Sequence, residues 1–169
     1  MCTNGNNADE LSRDSTLWTR LVDLRCGSIE AEASFLQEAR DPLGYVRRAL
    51  SGPPSRGVEA IVALGLLHQM DVEDRMAVFS ELLVLCLSQK FGNMARSVVL
   101  TLPKDWLLAN IEAASRCLIE KADDLEFFAL LRLFKDIDLG LAIRLAREGA
   151  RSADEDVMAV GSDFLIANT

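Results

Sequence analysis

His68 is the single histidine of the chain, and Cys86 sits in the apolar run LLVLCL at 82–87. Together they are the one nucleophile and base that a single helical hairpin could bring near each other, and catalysis needs them within hydrogen-bond reach. The spacing forbids it. His68 lies just before the turn marked by Asp71 and Cys86 far beyond it. In an antiparallel hairpin that offset of about 12 residues amounts to roughly 18 Å. His68 therefore reads as a surface or helix-end residue, and Cys86 as a small buried hydrophobe. The four cysteines (Cys2, Cys26, Cys86, Cys117) form no C-x-x-C, so with one histidine they make no zinc set. Carboxylate neighbours occur at Glu73-Asp74, Asp123-Asp124 and at Asp154, Glu155 and Asp156. Each cluster falls at a predicted helix start, where capping and the helix dipole account for it. There is no His-Glu-x-x-His, no Glu-x-x-His, no glycine-rich phosphate loop and no calcium-loop spacing. Gly140 and Gly149 fall inside predicted helices, where glycine permits close helix packing. These residues predict no enzyme, no cofactor and no metal.

The elements that carry them are helical. Asp71, Asp105 and Asp138 recur 34 and 33 residues apart, each after a mostly apolar stretch and each placed to open a helix. Helices are predicted over 14–26, with Gly27 as the stop, and over 29–40, with Ser28 as the cap. Asp41-Pro42 breaks the chain, and the next helix is 43–50. Ser51-Gly52-Pro53-Pro54 is a loop, and Ser55 opens the helix that ends before Asp71. Asp71 caps a helix running to Leu87 that is apolar on most sides and is expected at the centre. Further helices are expected over 94–102, 106–121, 125–137, 139–151 and 157–167. The total is about nine, with no run alternating as a strand would. Residues 1–13 are polar and expected to be frayed, leaving 14–169 as one helical-repeat domain. Leu17, Trp18, Leu21 and Leu24 form an apolar stripe. Trp106 takes the place of Val72 and Leu139 in neighbouring units and reads as core, whereas Trp18 is a candidate anchor.

The chain of 169 residues carries a net charge of −8. Residues 122–169 hold 5 basic and 10 acidic side chains, so the last third supplies most of the excess. Such a surface repels phosphate and argues against nucleic acid, while it suits a basic protein partner. Aromatics make up only 6%, so Leu, Val, Ile and Ala must form most of the core. No segment approaches a membrane span or a signal peptide. Free thiols in a core of this size point to a reducing compartment, the cytoplasm. A processed lipoprotein anchored through Cys2 is the alternative.

Three stretches carry a resemblance: 60–67 (AIVALGLL), 127–134 (FFALLRLF) and 154–165 (DEDVMAVGSDFL). They resemble HEAT-type repeats, in which an A helix, a tight turn and a B helix stack into a right-handed α-α superhelix. The family's helix-A proline and helix-B basic residue do not recur here. Nor does the pattern of tetratricopeptide repeats. The resemblance implies an all-α fold of antiparallel hairpins whose B helices line the concave side. It also makes the chain similar to small bacterial immunity or antitoxin proteins that neutralise a cognate toxin by covering it. A HEAT-like scaffold or adaptor that docks a protein or peptide is the second expectation. A lyase or chaperone subunit of the phycobilin type is the third. The residues expected to meet a basic partner are Glu73, Asp74, Glu81, Asp105, Glu112 and Asp138, on the B helices and their first turns.

Overall fold

The computed structural model describes residues 6–52 and 57–168. Among them are ten α-helices and no strand. They are α1 (Asn6–Glu38), α2 (Pro42–Leu50), α3 (Gly57–Leu67), α4 (Val72–Ala77), α5 (Phe79–Cys86), α6 (Gly92–Val99), α7 (Lys104–Ile119), α8 (Asp124–Ile137), α9 (Leu139–Gly149) and α10 (Glu155–Ala167). Residues 53–56, which include the two loop prolines and Ser55, lie outside the described residues. The chain divides into two compact units, Met1–Pro42 and Leu43–Thr169.

The first unit is α1. Of the stretch expected to be frayed, residues 1–5 lie outside the described residues and 6–13 form the first turns of α1. The stop expected at Gly27 is corrected: the helix runs through it. Gly27 does not adopt the left-handed conformation that a C-terminal stop requires. A glycine inside a helix costs only about 1 kcal/mol, less than breaking the backbone ladder on both sides. Ser28 accordingly caps nothing, and its Oγ donates to Glu32 Oε1 at 3.1 Å. Leu17, Trp18, Leu21 and Leu24 are each more than half exposed.

Pro42, the last residue of the first unit, occupies the first helical position of α2, where its missing N–H costs nothing. The helix expected from Asp71 to Leu87 is two. Val78 leaves the helical region at φ −109° and ψ 18°, dividing α4 from α5. At the break the Ala77 carbonyl accepts from Arg47 Nη2 at 2.6 Å, and Arg47 Nε also pairs with Glu81 at 3.0 Å. The break separates two kinds of surface: α4 buries no residue, whereas α5 buries Phe79, Leu82, Leu83 and Cys86. As expected of a central element, α5 packs against α4, α6, α7 and α8.

Two layers follow from the helix contacts. α3 meets α6, and α8 meets α10. In the other layer α5 meets α7, while Glu112 and Arg116 of α7 pair with Arg144 and Glu148 of α9 at 2.9 and 2.6 Å. Both ion pairs span 32 residues, so α7 and α9 run side by side in the same direction. Between the layers lies a core of leucine with two phenylalanines, Phe127 and Phe134, that are almost wholly buried. Hiding each such side chain contributes about 1.5–3 kcal/mol. Ser115 is the one fully buried polar side chain among the described residues, and its Oγ donates to the Ile111 carbonyl at 2.7 Å.

Glycines set the closest approaches. A Cβ at Gly161 of α10 would come within 2.5 Å of Ala150 N and 2.7 Å of Ala146 O, and one at Gly149 would strike the buried Phe127 ring. Gly65 of α3 has open space around it. Gly161→Ala is therefore expected to destabilise the protein by about 1–3 kcal/mol through overpacking against backbone. Gly65→Ala is expected to stabilise it by up to about 1 kcal/mol through helix propensity. Urea unfolding checks both, the midpoints moving in opposite directions with little change in slope.

Candidate docking surfaces

Of the six carboxylates expected to meet a partner, the structure commits three. Glu81 lies in the first turn of α5 and is held by Arg47. Glu112 lies within α7 and accepts from both Arg144 Nε and Arg144 Nη2, at 3.1 and 2.9 Å. Asp138 is the N-cap of α9, its Oδ1 accepting from Leu141 N at 3.1 Å. The other three are free. Glu73 and Asp74 stand in the first turn of α4, and Asp105 in the first turn of α7. None of the three takes part in an ion pair or side-chain hydrogen bond among the described residues. Asp105 does not cap, because Pro103 is the N-cap of α7. Asp71 is the N-cap of α4, yet its side chain makes no capping bond. Asp123 does cap α8, in a reciprocal box with Glu126, and Asp154 caps α10.

A groove that the sequence reading missed lies on the other layer. α8 buries Phe127, Leu130, Leu131, Leu133, Phe134 and Ile137. One line of side chains remains outside: Leu125, Phe128, Arg132 and Lys135, at the spacing of a single helical face. Leu125 is 56% and Phe128 48% exposed. α6 contributes Arg96 to the wall and α10 contributes Asp163 and Phe164, around a cavity of about 520 Å³. A second hollow of about 220 Å³ shares Arg96, Phe128 and Arg132 and extends the groove past Leu125. Arg96 Nε pairs with Asp136 Oδ2 at 3.1 Å. The Arg132 guanidinium lies 6.0 Å from the centre of the Phe128 ring, and the Lys135 ammonium 5.7 Å from that of Phe164. The signal was present in the sequence as a mixed apolar and basic line on the face of α8 away from its leucines.

Of the two residues that could do chemistry, Cys86 is buried and His68 is exposed. His68 is exposed just beyond the end of α3, its Nε2 3.5 Å from Ser97 Oγ. Trp106 is half-buried and meets Phe79 edge to face at 5.0 Å, whereas Trp18 is 67% exposed. Among the described residues no three His, Cys, Asp or Glu side chains gather closely enough to hold a metal ion, and no helix is long and apolar enough to cross a membrane. No family model matches the chain, and no curated protein or solved structure is significantly similar to it.

Cys26, Cys86 and Cys117 are all free thiols, Cys86 buried and the other two exposed. Burial pushes the Cys86 thiol up from its ordinary 9.0 to about 12, against a smaller downward pull from the Arg96 charge. At pH 8, iodoacetamide is expected to modify Cys26 and Cys117 and to reach Cys86 only in denaturant, as peptide mass mapping would read. The folded thiol holds its proton where the unfolded one has lost it. Its contribution to stability is therefore complete below pH 9 and lost as pH rises towards 12, which unfolding measured across that range checks.

Proposed function

We propose that the chain is a protein-binding module of the immunity or antitoxin kind, which neutralises a partner by covering a basic surface. In this reading the helices stack as HEAT-like hairpins in a right-handed superhelix, and the α4, α5, α7 and α9 layer carries the docking face. One observation carries it: Glu73, Asp74 and Asp105 stand at the starts of α4 and α7 without an internal cation, while Glu81 and Glu112 of the same layer are held by arginines. The six expected contacts thus narrow to three that are available without breaking an existing pair. A net charge of −8 would steer a basic partner towards them and speed its capture, and the gain would fade with salt. The free thiols among the described cysteines suit a reducing compartment such as the cytoplasm.

The test is charge reversal at Glu73, Asp74 and Asp105, with association measured by surface plasmon resonance against the basic protein that co-purifies with this chain from its native host. The association rate of the triple variant is expected to fall about tenfold or more at low salt. Its stability is expected to change by no more than about 1 kcal/mol per site. Undiminished capture would overturn the reading. Loss of the fold would reduce the three carboxylates to supports of their own helices.

A further inference from the structure

We infer that the groove over α8, between α6 and α10, docks an acidic peptide segment that carries an aromatic or aliphatic anchor. A half-exposed leucine or phenylalanine is ordinary by itself. What sets this line apart is what its cations touch. Arg96 is neutralised by Asp136. Arg132 and Lys135 meet no carboxylate among the described residues. Arg132 leans on Phe128, while Lys135 leans on Phe164 and donates to Asn168 Oδ1 at 2.8 Å. The remaining carboxylate of the wall, Asp163, pairs with neither. The groove therefore keeps two cations against one anion in a chain whose net charge is −8, a local sign opposite to that of the whole.

That sign selects the occupant. A basic segment would meet Arg132 and Lys135 directly. A nucleic acid would have to bring many phosphates across an acidic surface to reach two cations. An acidic peptide gives each cation a charge-assisted hydrogen bond in place of a ring contact, and these are the stronger bonds. Its apolar side chain would cover Phe128, which lines both the cavity of about 520 Å³ and the adjoining hollow of about 220 Å³ that reaches Leu125. From Leu125 to Lys135 the line is roughly 15 Å long, which fits four or five extended residues. This site is independent of the acidic side chains on the other layer and stands whether or not they take a basic partner.

The experiment pans a library of short random peptides against the immobilised full-length chain, with Arg132→Glu/Lys135→Glu as the parallel target. The most enriched peptide is then labelled and titrated by fluorescence anisotropy. Enriched peptides are expected to carry an excess of Asp and Glu around a Phe, Trp or Leu. Affinity is expected to fall about tenfold or more in the double variant and in Phe128→Ser, and to weaken with salt. Both variants change exposed side chains, and an unchanged melting midpoint verifies their fold. Enrichment of neutral or basic peptides, equal enrichment on the variant, or none above background would refute the assignment. So would a single-stranded oligonucleotide that displaces the peptide.

Discussion

The burial of α8 is the constraint on which the second unit depends. It packs against α5, α7, α9 and α10, and six of its fourteen residues face the interior. A helix enclosed on so many sides must be apolar around most of its circumference. A narrow line remains for solvent, and Leu125, Phe128, Arg132 and Lys135 occupy it with Asp136 beside them. The same packing fixes the neighbours. Phe127 fills the space against which Gly149 of α9 must stay bare, and Gly161 lets α10 approach the end of α9. The groove is thus a by-product of how the core closes.

Charge is arranged by the helices themselves. Acidic side chains gather in first turns, as at Asp124 and Glu126 of α8 and Glu155 and Asp156 of α10. Basic ones fall in last turns, as at Lys135 of α8 and Arg147 of α9. Both placements suit the helix dipole. Side-by-side packing then spends some charges and spares others. The α7 and α9 ladder uses Glu112, Arg116, Arg144 and Glu148. These pairs are about half exposed, so they fix the register of the two helices more than they add stability. Charges outside such pairs stay without an internal counter-ion. They include carboxylates at the starts of α4 and α7, and the cations Arg132 and Lys135 over α8.

Arg47 shows how a local defect is absorbed. The break at Val78 frees the Ala77 carbonyl, and the arginine that accepts the task also holds Glu81 beyond the break. The arginine ties α2 to both halves of the divided helix, so that α5 can turn its leucines inward while α4 stays at the surface.

Read alone, the sequence determined the all-helical class, most helix boundaries from α6 onward, the cap at Asp138, and the burial of Cys86, while the structure chose Asp123 over Asp124 and Asp154 over Ser152 as caps. These follow from local propensities and from apolar periodicity, which a single stretch of chain displays in full. It misjudged Gly27, because whether a glycine ends a helix depends on a backbone conformation that composition does not fix. It misjudged the helix after Asp71, because the break at Val78 is set by what α5 must bury and by an arginine 30 residues away. Only the tertiary structure decided which carboxylates are spent in ion pairs and which stand free. Pairing is a matter of distances between helices, and those are fixed when the core closes.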